Sequence, residues 1–110
     1  MKIKSKVWLE KDNQMIFGTG KSLILKAIDR TGSINQAAKE LNMSYRHTWS
    51  YIRVIEKRLA KPLVIKLRGG SGGGGAALTE YAKELLKKFD IFEEEVKKIV
   101  DDKFKEIFIG

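Results

Sequence analysis

The sequence predicts a mainly α-helical domain with small β-hairpins, an α+β fold, and three observations support this. Apolar residues recur at three- and four-residue spacing through most of the 110 residues. Strict alternation, which is typical of strands, is confined to short stretches. Six glycines fall within residues 69–75, and only about one helix follows them, which is too little to fold alone. We therefore expect one compact domain.

The composition excludes several kinds of site. There is no cysteine, so disulfides, thiolate zinc sites and a cysteine nucleophile are excluded. The single histidine, His47, cannot build a metal site by itself, and we expect no cofactor. The first 14 residues lack the apolar core of a signal peptide, and no run approaches the roughly 18 apolar residues of a membrane span. We expect a cytoplasmic protein.

Positive charge is concentrated in the middle of the chain. The net charge is +8, and residues 44–68 hold seven basic residues against one acid, a net charge of +6. Residues 69–110 carry seven lysines against nine acids, a net charge of −2. This clustering is typical of a surface that binds a polyanion. The alternative is a solvated lysine surface without a partner.

Residues 1–18 are predicted to form an N-terminal hairpin. Over residues 3–9, one face carries Ile3, Ser5, Val7 and Leu9, and the other carries lysines and Trp8. The stretch KDNQ forms a turn, and residues 15–18 form a short return strand. A first helix is then predicted from Lys21 to the stop signal Gly32.

Two further helices are predicted over residues 33–60. Ser33 is a candidate N-cap, with Gln36 three residues later as in a capping box, for a helix of about two turns. Ser44 caps a longer helix that ends before Pro62, because the residue before a proline avoids the helical region. Trp49 falls on the apolar side of this helix and is predicted to lie in the core. The outward face carries Arg46, His47, Ser50, Arg53, Val54 and Lys57.

Residues 63–78 are predicted to form a second hairpin. Leu63–Arg68 reads as a strand, AAL at residues 76–78 as its return strand, and the glycines as the tip between them. A tip that lies on a phosphate backbone favours glycine, which exposes its N–H group and accepts positive φ angles. We interpret the run as a wing. A flexible linker is the alternative.

The C-terminal helix, residues 79–103, has Thr79 as its N-cap and a regular apolar seam. From Leu78 to Ile99 the seam residues are spaced four and three apart in alternation, which is the period of a coiled coil. A helix of about 20 residues would project from so small a domain, so we expect it to pair with a second copy. The alternative is packing on its own domain, and residues 104–110 are an undetermined tail. The residues expected at the dimer contact are Leu85, Phe89, Phe92, Val96 and Ile99.

The order of these elements predicts a winged helix-turn-helix domain, residues 1–78, that binds double-stranded DNA. An α-helix fits the major groove, and outward residues near its N-terminus can reach base edges. The preceding helix would lie on the backbone, where N-terminal amides and small polar side chains bind phosphate.

Three other functions are weaker. GTGKS at residues 18–22 resembles the end of a phosphate-binding loop, but the glycine required five residues before Gly20 is Met15. His47 as a general base has no partner arranged by the sequence. Trp49 could stack on single-stranded bases, although it is more readily a core residue. We expect that the protein is not an enzyme.

The sequence resembles the DNA-binding domain of the ModE family, molybdate-responsive transcriptional regulators related to the LysR-type winged helix-turn-helix regulators. The similarity runs from about Leu23 to Leu86 and rests on the GSI–AAKEL–MSYR–W block and the GGSGGGG–LTEYA block, where the family tends to have Gly in place of Ala82. The resemblance implies a homodimer on a palindromic operator. The DNA-binding residues that it implies are Ser44, Tyr45, Arg46 and His47 at the start of the recognition helix, Ser33 and Gln36 at phosphate, and Lys66, Arg68, Gly69, Gly70, Ser71, Gly72 and Gly73 in the wing.

ModE proteins usually carry oxyanion-binding domains after the DNA-binding domain, whereas this sequence ends at Gly110. The sequence is compatible with a stand-alone regulator and with a fragment of a longer one. A separate oxyanion-sensing subunit is a further possible partner. We expect a transcriptional regulator that binds an inverted repeat, with a link to molybdate or tungstate. The alternatives are a low-specificity architectural DNA-binding protein and a module whose basic helix binds an acidic protein or RNA.

Overall fold

The computed structural model describes residues 1–67 and 75–110, which form four helices and two separate two-stranded antiparallel sheets. The predicted α+β fold with a long C-terminal helix is confirmed. The elements are β1 (Leu9–Lys11), β2 (Gln14–Phe17), α1 (Thr19–Thr31), α2 (Ile34–Glu40), α3 (Tyr45–Leu59), β3 (Val64–Lys66), β4 (Ala76–Leu78) and α4 (Glu80–Phe104), followed by a π-helical turn (Lys105–Ile109).

The N-terminal hairpin is shorter than the alternating pattern predicts. Asp12 and Asn13 both have positive φ, at 53° and 62°. They form the two-residue turn between β1 and β2, as a type I′ turn requires. The expected strand before Leu9 does not form, because β2 ends at Phe17 and leaves the earlier residues no strand to pair with.

A left-handed glycine ends α1, and two serines start the next two helices. Gly32 has φ 67°, and its N–H donates to Ile28 O at 2.8 Å. Ser33 Oγ accepts from the N–H of Gln36 at 3.1 Å, so the predicted cap is present. The N–H of Ser33 donates to Thr31 Oγ1, which takes the place of the return bond that a capping box would draw from Gln36. Ser44 caps α3 in the same way.

The core lies between α1, α3, the second hairpin and the first half of α4. Phe17, Ile28, Ile55 and Leu63 are its largest fully buried apolar side chains. Phe17 packs edge-on against Phe89 of α4, with ring centroids 5.1 Å apart. The first hairpin and α4 are therefore joined through the core, and the position of β2 is fixed by it.

The strands on either side of the glycine run pair with each other. Val64 lies opposite Leu78, and Lys66 opposite Ala76. The N–H of Ala76 donates to Gly32 O at 2.9 Å, which places the end of this hairpin nearest the glycine run on the end of α1. The glycine run thus connects paired strands of one domain, which favours the wing over the linker; Arg68 to Gly74 lie outside the described residues.

The seam of α4 is divided between the core and solvent. Phe89 is only 3% exposed, so its predicted place in a dimer contact is wrong: the first three turns of the helix use this stripe to cover their own core. Leu85 is partly buried against the same core. Phe92 and Ile99, in contrast, are 47% and 61% exposed. None of the described helices is long and apolar enough to cross a membrane.

One ion pair and one hydrogen bond hold the middle of α4 to α1, and the end of the helix projects beyond them. Lys26 Nζ lies 2.8 Å from Asp90 Oδ1, and Thr19 Oγ1 donates to Glu93 Oε2 at 2.8 Å. The helix has 25 residues, or about 37 Å of axis, and its last fully buried residue is Phe89. The predicted tail continues the helix into the π-helical turn, where Ile107 and Phe108 are exposed.

We predict that Gly32→Ala lowers the free energy of unfolding by about 1–2 kcal/mol, because a Cβ disfavours the left-handed conformation of Gly32. The matched control is Gly20→Ala in α1, where an added Cβ meets nothing within 4 Å and should raise that free energy by about 0.4–1 kcal/mol. Urea unfolding of both variants checks this. Equal stability of the two variants would contradict it.

Candidate nucleic-acid interface

One face of α3 presents the predicted recognition residues to solvent. Arg46, His47, Ser50, Arg53 and Lys57 are all exposed. Spacings of three and four place them on one side of the helix. The opposite side, with Ile52 and Ile55, is buried in the core. The helix is therefore fixed along its length and offers a polar, basic surface.

Tyr51 contacts both His47 and Lys21 beside this surface. The His47 ring stacks on Tyr51 with 4.8 Å between centroids and 5° between planes. Lys21 Nζ lies 4.1 Å from the centre of the Tyr51 ring. Burial of the Lys21 ammonium group, and then the positive charge of Arg58, lower the pKa of Lys21. The sequence left Tyr51 unassigned, although its four-residue spacing from His47 is a stacking signal.

Trp49 lies at the edge of the core rather than inside it. Its ring packs against core residues and also faces two cations, with Arg53 Cζ at 4.3 Å and Lys66 Nζ at 5.0 Å. Arg53 belongs to α3, and Lys66 to β3. The indole therefore places the predicted wing cation next to α3 through cation–π contact.

Glu56 joins α3 to the wing strand. Its carboxylate is 9% exposed and accepts from the N–H groups of Leu63 at 2.8 Å and Val64 at 3.3 Å. Arg53 Nη1 donates to the other oxygen at 2.7 Å. Arg53, which was predicted to face DNA, is 61% exposed but engaged within the protein. Sequence reasoning missed Glu56, and the one signal was that it is the single acid within residues 44–68.

Two serines that were predicted to contact DNA, Ser44 at the start of the recognition helix and Ser33 at phosphate, serve as helix caps. Ser44 Oγ accepts from the N–H of His47 at 3.0 Å, and Ser33 Oγ is used similarly by α2. Ser33 also lines a surface groove with Tyr45 and Lys66, so the structure brings together predicted residues from α2, α3 and β3. Gln36 is exposed at the start of α2. The predicted wing residues Arg68, Gly69, Gly70, Ser71, Gly72 and Gly73 lie outside the described residues.

Within residues 1–67 and 75–110, no group of three or more His, Asp or Glu side chains is arranged to hold a metal ion.

Comparison with known proteins identifies the central part of the chain. Residues 22–83 match the family described as bacterial regulatory helix-turn-helix proteins, lysR family. The transcriptional regulator ModE of Haemophilus influenzae is 44% identical over 70 residues, which are 64% of this chain and 28% of that protein. The DNA-binding transcriptional dual regulator ModE of Escherichia coli K12 is 37% identical over 78 residues, 71% of this chain and 30% of that protein. The chain thus spans less than a third of these relatives.

Solved structures share the fold. The crystal structure of the CbnR DNA-binding domain in complex with DNA has a TM-score of 0.57 at 20% identity, and the match covers 76% of this chain and 91% of that one. Full-length LysG from Corynebacterium glutamicum has a TM-score of 0.57 at 21% identity, over 79% of this chain and 29% of that one. The similarity to these proteins gives no support to a separate oxyanion-sensing subunit.

We predict that Glu56→Gln lowers the free energy of unfolding by about 1–3 kcal/mol. An amide has one acceptor oxygen, so it cannot serve both Arg53 and the two strand N–H groups. Urea unfolding and hydrogen exchange of the Leu63 and Val64 amides provide the measurement, with faster exchange expected at both. Glu95→Gln on the exposed face of α4 is the control. Unchanged stability and exchange in Glu56→Gln would refute the role given to this carboxylate.

Proposed function

The chain belongs to the LysR family of bacterial regulatory helix-turn-helix proteins, and on this basis we propose that it is a transcriptional regulator that binds double-stranded DNA sequence-specifically. The observation that carries the proposal is the exposed face of α3, which carries Arg46, His47 and Ser50. Trp49 of the same helix holds the wing cation Lys66 next to α3. The 37–44% sequence identity of the chain to ModE regulators supports the same function. An enzyme is not proposed.

The proposed binding mode follows from the placement of these elements. The N-terminal half of α3 would enter the major groove, where an arginine such as Arg46 can donate two hydrogen bonds to a guanine edge. The N-terminal end of α2, with Ser33 and Gln36, and the wing would contact phosphates on either side. Lys66, Arg68 and Gly69 to Gly73 are the proposed wing contacts. Since DNA lies in the cytoplasm of a bacterium, we propose that location.

The names of several relatives refer to molybdenum, among them the molybdenum transport protein ModE of Azotobacter vinelandii, which is 37% identical over 78 residues. We propose that this domain supplies the DNA-binding step of a molybdate or tungstate response. This follows from the similarity to those longer proteins, and we assign no oxyanion site to the described residues.

We also propose that the projecting half of α4 pairs two copies of the chain. Phe92, Val96 and Ile99 form its apolar stripe, and Phe92 and Ile99 are about half exposed or more. Paired helices would bury this stripe, and a two-fold dimer would place two recognition helices on the halves of an inverted repeat. Phe89 belongs to the core of the domain and Leu85 packs against that core, so the proposed contact uses the later residues of the seam.

The main alternative is a low-specificity architectural DNA-binding protein, which the concentration of positive charge in residues 44–68 also favours. A regulator should prefer its site over random duplex by about a thousandfold or more, whereas an architectural protein should show little preference. The third candidate is a module whose basic helix binds an acidic protein or RNA. A competition assay with duplex DNA, RNA and an acidic protein distinguishes it from the two DNA-binding proteins, because duplex DNA should then compete poorly.

Selection of bound duplexes from fragmented genomic DNA tests the proposal. We expect an inverted repeat, and we expect Arg46→Ala to weaken binding to it by about 1–3 kcal/mol while relaxing the preference at one base pair of each half-site. Lys98→Ala, an exposed lysine of α4, is the control and should leave binding unchanged. Recovery of no motif, with equal affinity for all duplexes, would favour the architectural protein.

The dimer is tested by placing charges on the stripe. The double substitution Phe92→Asp and Ile99→Asp should give monomers in analytical ultracentrifugation, because it would bury like charges in the proposed contact. Ile91→Asp is the matched control, since Ile91 is 51% exposed on another face of α4. A dimer that survives the double substitution, or one lost equally in the control, would rule out this contact.

A further inference from the structure

The N-terminal hairpin lies beside the C-terminal half of α3, and the family match begins after it, at residue 22. Arg58 Nη1 of α3 donates to Met15 O of β2 at 2.6 Å. Phe17, at the end of β2, is fully buried against Phe89. The hairpin is therefore anchored at two points to the body that carries the recognition helix.

A basic groove separates the hairpin turn from α3. It is lined by Lys11, Asp12 and Gln14 from the hairpin and by Val54, Lys57 and Arg58 from the helix. Three of the four charged side chains are positive, and Asp12 is the exception. The hairpin thus adds Lys11 to a positive surface that the helix alone would supply only in part.

The turn geometry holds Lys11 and Gln14 in place. The two residues are directly opposite each other in the β1–β2 register. The connection between them consists of Asp12 and Asn13 alone, both in the left-handed region. A two-residue turn of this type leaves the backbone little freedom, so a ligand that bound here would not need to order the hairpin first.

The groove continues the face of α3 that carries the recognition residues. Lys57 follows Arg46 by eleven residues on the same side of the helix, about 16 Å along its axis. The major groove of B-DNA is about 12 Å wide. With Arg46 at a base edge, Lys57 and the hairpin turn would reach the sugar–phosphate backbone that borders the groove.

We propose that the groove between the β1–β2 turn and α3 binds the sugar–phosphate backbone of the same duplex, with Lys11 and Gln14 as contacts that the helix-turn-helix and wing do not provide. This rests on the proposed DNA-binding function. Lysine and glutamine side chains are common phosphate ligands, and the continuity with the α3 face favours DNA over a separate acidic partner. Asp12 lowers the affinity of the groove for phosphate.

The salt dependence of binding to the selected duplex tests this inference. Lys11→Ala should reduce the slope of log K against log salt by about 0.9 and weaken binding at 0.1 M salt by about five- to tenfold, because one phosphate contact is lost. Asp12→Asn should strengthen binding by about two- to threefold, because it removes the acid while asparagine tolerates the left-handed turn. Lys98→Ala on α4 is the matched control for loss of one positive charge.

Hydroxyl-radical footprinting locates the contact. In Lys11→Ala, protection should be lost at one backbone segment beside each half-site and kept elsewhere. An unchanged slope in Lys11→Ala, or an equal loss in Lys98→Ala, would overturn the inference while leaving the proposed function in place. If the unaltered protein binds no duplex at all, the proposed function fails and this inference fails with it.

Discussion

The buried carboxylate of Glu56 holds the second hairpin against α3, and the geometry of the candidate interface depends on it. Two strand N–H groups and one guanidinium converge on its two oxygens. Burial of a carboxylate costs free energy unless hydrogen-bond donors surround it. The strand and Arg53 therefore stabilise Glu56, and Glu56 stabilises them in turn. Because β3 carries Lys66, this contact also sets the distance between the wing cation and α3.

Aromatic rings perform a related task on the exposed side. Trp49 places Arg53 and Lys66, and Tyr51 places His47 and Lys21, each within about 5 Å of a ring centre. Long basic side chains lose rotamer freedom when they bind phosphate or a base edge. Side chains that are already held against a ring lose less, so the rings would favour the proposed DNA binding by these side chains.

One apolar stripe of α4 has a buried part and an exposed part. Its first part, with Ala82, Leu86 and Phe89, completes the core of the domain. Its second part continues past the last residue that the core can cover, since the helix is longer than the body it packs on. Two domains joined through such a helix would be held at a separation set by its length, which is what recognition of two half-sites requires.

The sequence by itself determined the order and type of the elements, because these depend on local signals. Gly32, Ser33 and Ser44 act on the backbone within four residues of themselves, and helical spacing identifies the buried face of α3 directly. The similarity to known regulators rests on the same residues. These signals also sufficed to place Arg46 and His47 on the exposed face of α3.

Only the tertiary structure decided which neighbours the side chains meet. Arg53 and Lys57 look equivalent in the sequence, yet Arg53 is bound by Glu56 and Trp49, whereas Lys57 lines the groove beside the hairpin. Phe89 and Phe92 continue one seam, yet the first is buried and the second is exposed. In each case the outcome depends on where a strand or helix distant in the chain comes to lie, and periodicity within one helix contains no information about that position.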